Sequence, residues 1–242
     1  MKLIYNLILT GSLFFAFVSN AKIITPFVNG GETVHPMDPI AKSTVMLETD
    51  SQYCSASIID ENILLTAAHC FADRETWVKI HFSGLEGKVS ITSTHFIRHE
   101  KYQDLNETTR NDVALVFFEG GLPPGHQPVS LLNDELNIGD ELQMAGYGEG
   151  SPQGELSKIK LKVTEILDSV NLIKLNQTKK YGICHGDSGG PAFKLIGGQL
   201  FLVGVASYTE EANCTGYSVY TNATHFLNWI NQKKSQIKSG LK

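Results

Sequence analysis

The 242-residue chain has only four cysteines, and no two of them stand in a C-x-x-C spacing, which argues against a zinc centre. Its basic runs are short, the densest being Lys233-Lys234, and its formal net charge is −5 at pH 7. Binding to nucleic acid therefore has no electrostatic footing. Beyond the N-terminal run Leu3 to Val18, no apolar stretch approaches the roughly 20 residues of a membrane helix. Amphipathic helix patterns are scarce, and neither internal repeats nor low-complexity segments are evident.

What the chain does carry begins with Met1-Lys2, the apolar run Leu3 to Val18 and the exit Ser19-Asn-Ala21. That is the charged start, greasy middle and small-residue end of a secretory signal peptide over residues 1–21. The run is interrupted by Asn6, Thr10 and Ser12, unlike a spanning helix. Cleavage after Ala21 is expected, so the protein is expected to be secreted, extracellular or periplasmic, with no membrane attachment once the leader is gone. The remainder suits one two-lobed domain or two small ones. Four cysteines in an exported chain read as two disulfides, and three pairings are open.

Short β-patterned runs dominate, among them Ser55 to Ile59, Asn62 to Thr66, Lys88 to His95, Val113 to Phe118, Ser157 to Ile166 and Leu200 to Ser207. Gly, Asn, Asp and Pro punctuate them, as in all-β proteins. The stretch Glu119-Gly-Gly-Leu-Pro-Pro-Gly-His126 reads as a connector between two β lobes. Near the C-terminus, Thr224 is placed to cap a helix over about 224–237 with Phe226, Leu227 and Ile230 on one face.

Three strings carry chemistry: Leu65-Thr-Ala-Ala-His-Cys70, Asp112-Val-Ala-Leu115 and Cys184-His-Gly-Asp-Ser-Gly-Gly-Pro191. A serine hydroxyl is a weak nucleophile at neutral pH. An imidazole must take its proton, and a buried carboxylate must hold that imidazole in one tautomer and stabilise it once charged. Ser188, His69 and Asp112 supply those groups. Glycines around Ser188 permit a tight turn that aims the N–H groups of Gly186 and Ser188 at a developing oxyanion. Taken singly, each string has a plainer reading, a turn for one and a buried histidine beside a disulfide for another. Their order and spacing together favour catalysis.

The string Gly186-Asp-Ser-Gly-Gly190 also fits the G-x-S-x-G elbow of α/β-hydrolases, whose acid and histidine follow the serine. No Asp follows Ser188; Glu210, Glu211 and His225 are the only groups left. A lipase or esterase remains a minor alternative. The order His69, Asp112, Ser188 is that of chymotrypsin.

With Gly146-Tyr-Gly148, Val219-Tyr-Thr221 and Trp229-Ile230 added to the three strings, the chain resembles the chymotrypsin/trypsin-like serine protease family. The resemblance implies two antiparallel six-stranded β-barrels, about 27–120 and 130–222, with the active site between them and a C-terminal helix. It implies a secreted monomeric endopeptidase acting on proteins or peptides, met by an activating protease and by protein inhibitors, and needing no cofactor. It also implies the disulfides Cys54–Cys70 and Cys184–Cys214, a hydrogen bond from Ser207 to Asp112, and substrate pairing along Ser207, Tyr208 and Thr209. The family's calcium loop would fall near His81 to Lys88, where Glu86 is the only acid. No metal is expected.

In trypsin-like relatives an acid six places before the serine binds Arg or Lys, and here that place is Gly182. Nothing there compensates a buried cation. Ile183 follows, and Thr209 and Ser218 take two places that are normally glycine, which narrows the slot. The expected preference is for small or medium uncharged residues. A runner-up is an acidic preference read by His185 and Ser218.

Family members usually gain a fresh Ile or Val N-terminus that pairs with the acid before the serine, here Asp187. Phe27 stands in the Ile place after Pro26, and Ile23, after Lys22, lies four residues early. Either residue is a candidate activated end, with 22–26 as a short propeptide, unless Asp187 is satisfied without one. That departure keeps open a catalytically silent or zymogen-locked binding protein on the same fold. Asn106, Asn176, Asn213 and Asn222 begin glycosylation sequons.

Overall fold

The computed structural model describes residues 30–73, 75–84, 87–105, 108–148, 155–178, 181–211 and 214–239. The expected leader, Ile23, Phe27, Glu86, Asn106 and Asn213 lie outside the described residues.

Alternating apolar and polar residues make many of the strands, and among the described residues two large sheets result beside a two-stranded one, Gln103–Asp104 with Thr109–Arg110. In the first, antiparallel neighbours run Gly87–Ser93, Val78–Gly84, Thr44–Glu48, Tyr53–Asp60, Ile63–Thr66, Ala114–Phe117 and His95–Arg98. The two end strands are one chain segment bent at Thr94, so seven strands close as a six-stranded barrel through the chain itself. The Ser93 hydroxyl holds the bend by donating to the Phe117 carbonyl and accepting from the His95 N–H at 2.9 Å.

The second barrel closes by hydrogen bonds. Its order is Ser157–Leu167, Glu141–Gly146, Pro191–Ile196, Gln199–Glu211, Thr215–Asn222 and Leu172–Asn176, which pairs back onto Ser157–Leu167. Short strands at Glu32–Thr33 and Ser130–Leu131 add to its rim. The connector foreseen at 119–126 turns on Gly120, Gly121 and Gly125, all at positive φ, and leads into Ser130–Leu131.

Ile58, Leu64, Ile80, Phe82 and Leu115 fill the first barrel, and Leu142, Met144, Ile173, Leu175, Val203 and Tyr220 fill the second. The first cluster continues through Ala145, Phe193 and Val205 of the second lobe to Phe226 and Ile230. Tyr53–Asp60 is buried from Cys54 to Ile59 because it serves both lobes. Ala56 and Ile58 lie in the apolar core, while Ser55 bonds across to the Gly186 carbonyl at 3.1 Å and accepts from the Tyr147 N–H at 2.9 Å.

At the C-terminus, a 3-10 turn Ala223–Phe226 leads into the helix Leu227–Lys238. The cap is Asn222 rather than Thr224. Its Oδ1 accepts from the Thr224 N–H at 3.2 Å and from Oγ1 at 2.7 Å, and the added turn moves the start back. Among the described residues no helix is long and apolar enough to cross a membrane.

Candidate active site

The segment carrying His69 leaves the buried strand Ile63–Thr66 and tightens into a 3-10 turn, Ala68–Cys70. Cys70 is bonded to Cys54, which pins this turn to the neighbouring strand. Cross-linking a loop of this length is worth about 3 kcal/mol. Asp112 follows Asn111, which turns the chain in the left-handed region at a φ of 51°.

Asp112 is fully buried. Its Oδ1 accepts from the His69 backbone N–H at 2.9 Å and its Oδ2 from Nδ1 at 2.7 Å. Ser207 Oγ also donates to Oδ2, and Thr109 Oγ1 lies 2.6 Å from Ser207 Oγ. With the Ser207 proton spent on the carboxylate, Thr109 is the donor to Ser207. The register of Gln199–Glu211 against its neighbour slips between Ala206 and Tyr208, and such a bulge aims Ser207 out of the ladder.

Burial works to lower the His69 pKa, but the Asp112 charge and the hydrogen bond to it outweigh burial and leave it raised. Burial would raise Asp112, yet the His69 charge and the bonds from His69 and Ser207 hold it below the usual value. Each group supports the other's charge.

Ser188 sits on a turn packed against both lobes. Its carbonyl accepts from the Ser55 N–H at 2.7 Å, and the N–H groups of Gly189 and Gly190 bond Ala206 and Asp187 carbonyls at 2.8 Å each. Gly186 and Gly189 have φ of 85° and 77°. Among the described residues the N–H groups of Gly186 and Ser188 have no acceptor, unlike those of Cys184, Asp187, Gly189 and Gly190. No hydrogen bond joins Ser188 Oγ to His69 in this conformation.

His69 and Ser188 line one cleft of about 320 Å³ with Gln52, Ile183, Cys184, His185, Ala206, Ser207, Tyr208 and Thr209. His185 is exposed at its edge, while Ser207 is buried. Gly182 and Ser218 do not line the cleft. Both meet Gln177, a buried residue that sequence reasoning missed. Gln177 Oε1 accepts from the Ile183 N–H at 3.0 Å and from Ser218 Oγ. Its Nε2 donates to the Ile183 carbonyl at 3.0 Å and the Cys214 carbonyl at 2.8 Å. Cys184 is bonded to Cys214, tying the serine turn to this wall.

Residues 28–230 match the family model described as Trypsin. The chain belongs to the trypsin family. Among its relatives, "Serine protease SP24D" of Anopheles gambiae is 28% identical over 233 residues, covering 85% of this chain and 82% of the relative. "CLIP domain-containing serine protease B4" of the same organism is 28% identical over 220 residues, covering 74% of this chain and 61% of the relative. Membership places the chain among the trypsin-like proteins of S1 type, a family of hydrolases whose substrates are proteins.

Beneath Ser188, Asp187 is buried, its Oδ1 accepting from the Gly148 N–H at 3.1 Å and its Oδ2 from the Cys184 N–H at 2.9 Å. Burial pushes its carboxyl up to about 7 despite both bonds. Among the described residues no cation pairs with it. The two places where cysteine and histidine gather, Cys54 with His69 and Cys70, and Cys184 with His185 and Cys214, contain only disulfide-bonded cysteines. A disulfide offers no thiolate to a metal.

Proposed function

We propose that this trypsin-family chain is a secreted serine endopeptidase in which Ser188, His69 and Asp112 cleave peptide bonds through an acyl-enzyme. The observation that carries the reading is the double hold of buried Asp112 on His69 in the cleft that Ser188 lines. An Nδ1 proton bound to Asp112 leaves Nε2 bare, the form needed to accept the Ser188 proton. Ser188 Oγ then attacks the carbonyl carbon, and the oxyanion meets the N–H groups of Gly186 and Ser188. Such a donor is worth roughly 3 to 4 kcal/mol of barrier. His69 returns the proton to the leaving amine, and water repeats the sequence on the acyl-enzyme.

The cleft supports a preference for small or medium uncharged residues before the scissile bond. Among the described residues its walls hold Ile183 and Thr209 and no carboxylate. The Ser218 hydroxyl, a candidate for reading an acidic residue, is committed to Gln177, which favours the uncharged reading. Secretion accords with the two disulfides. The activating cut before Ile23 or Phe27 would be made by another protease, and protein inhibitors would use the same cleft.

The test is a mixed peptide library given to secreted protein of known N-terminus, beside Ser188→Ala. Cleavage after small uncharged residues that vanishes in the variant is expected. Material already trimmed to Ile23 or Phe27 that cleaves nothing would sink the reading.

A further inference from the structure

We propose that Gln177 sets the depth and polarity of the substrate pocket, closing it to long and charged side chains before the scissile bond. This inference rests on the protease reading above.

The place six residues before Ser188 has no side chain, yet it is not open. A Cβ built on Gly182 would fall 2.0 Å from both Cγ and Cδ of Gln177 and 2.3 Å from its Oε1. The volume that glycine leaves is therefore filled by a side chain reaching over from the end of Leu172–Asn176. Gln177 is only 5% exposed. It braces Ile183, which lines the cleft, through both backbone groups of that residue.

Its amide orientation follows from its neighbours. A turned amide would set a donor against the Ile183 N–H and an acceptor against two carbonyls. As placed, it makes two bonds as acceptor, from Ile183 and Ser218, and two as donor, to Ile183 and Cys214. The hydrogen-bonding capacity of a primary amide is then used in full. Behind Ile183, Gln177 consequently offers a substrate neither a charge nor a free amide group. A buried substrate ammonium or carboxylate would go uncompensated there.

Shortening Gln177 should open that volume and expose groups suited to an uncharged polar or flexible side chain, namely the Ile183 N–H, the Ser218 hydroxyl and two carbonyls. The experiment compares kcat/KM on peptides with Ala, Met or Gln before the scissile bond. It uses wild type, Gln177→Ala and Gln177→Met, all as secreted protein that a fluorophosphonate labels at Ser188. The ratio of Met or Gln to Ala should rise about tenfold or more in Gln177→Ala, the scale on which pocket volume discriminates substrates. It should stay near wild type in Gln177→Met, which keeps the volume filled. If Gln177→Ala does not fold, Gln177→Asn, one methylene shorter, should shift the ratio in the same direction. An unchanged ratio in a folded, labelled Ala or Asn variant overturns this inference alone. A wild type already trimmed to Ile23 or Phe27 that neither labels nor cleaves overturns the protease reading and this inference together.

Discussion

Asp112 grips His69 at two points, Oδ1 on the backbone N–H at 2.9 Å and Oδ2 on Nδ1 at 2.7 Å. The first contact fixes where the Ala68–Cys70 turn stands, and the second fixes which ring nitrogen carries the proton. One carboxylate thus sets both position and tautomer, while Ser207, steadied by Thr109, occupies Oδ2 from the second lobe.

Asp112→Asn should preserve the fold and lose activity. An amide can donate toward Nδ1, which selects the tautomer with the proton on Nε2 and blocks proton uptake from Ser188. A loss of roughly ten-thousand-fold in kcat is expected, a size known for this substitution in serine proteases rather than calculated for this chain. Equal loss in Asp112→Asn and Asp112→Ala would refute the tautomer argument.

The pH dependence has opposite signs for stability and activity. The folded pKa of His69 is raised above 6.5, so its stabilising contribution is complete below 6.5 and is lost as pH rises through the folded value. The folded pKa of Asp112 is lowered below 3.8, so its contribution is complete above 3.8 and lost as pH falls through the folded value. Both contributions are whole between those two ordinary values. Activity needs neutral His69, so the acid limb of kcat/KM should lie above pH 6.5. Residual activity of Asp112→Asn should show that limb at lower pH, because burial remains when the charge is gone. A pH–rate profile of both proteins checks this.

Ser207→Ala removes a donor from a buried charge, while Thr109→Val removes only the bond behind it. Bonds to charged groups are worth about 1.5 to 3 kcal/mol and neutral ones about 1. Urea melts at pH 7 should therefore rank Ser207→Ala below Thr109→Val, with Ser207→Ala also raising the Asp112 pKa. The reverse ranking would mean that Thr109, rather than the carboxylate, is what Ser207 serves.

His69, Asp112 and Ser188 are legible in the sequence because each sits in a short string with its own chemistry, and the strands are legible because alternation of side chains is local. Gln177 is not. Its partners at 183, 214 and 218 come together only when Leu172–Asn176 pairs with Thr215–Asn222, and a glutamine after a strand has no periodic signature. Thr109 is hidden likewise, since its role passes through Ser207 of the other lobe. Asn222 and Thr224 are both good caps, and only the added 3-10 turn decides between them.

Gly189→Ala should destabilise the fold severely. A Cβ there would fall 2.0 Å from Thr66 Oγ1 and 2.5 Å from the Ser55 carbonyl, at a φ of +77°. Thr66 cannot move aside cheaply, because its hydroxyl is bonded to that same carbonyl at 2.8 Å. Strain and overpacking together should exceed about 3 kcal/mol. Gly197→Ala has a similar φ of +58° but nothing within 4 Å, so it should cost only about 1 to 2 kcal/mol. Equal thermal stability of the two variants would show that the seam between the lobes yields.

In chain starting at Lys22, Asp187 should make stability sensitive to pH in the direction opposite to Asp112. Its carboxyl is raised from 3.8 to about 7 by burial. Between those values the folded state keeps a proton that the unfolded state releases, so stability falls as pH rises through that window, with the whole penalty present above 7. A new ammonium at Ile23 or Phe27 reaching Asp187 would replace the proton and remove the penalty. The space beside the carboxylate depends on Gly146, where a Cβ would fall 2.2 Å from Oδ1. In chain beginning at Lys22, Asp187→Asn should therefore raise Tm at pH 8 and flatten its pH dependence. In chain trimmed to the activated end, the same substitution should abolish cleavage, because a neutral amide gives the ammonium no counter-charge. Full activity of trimmed Asp187→Asn would refute assembly of the site by the new N-terminus. An unchanged Tm profile in the untrimmed variant would place the pH-sensitive group elsewhere.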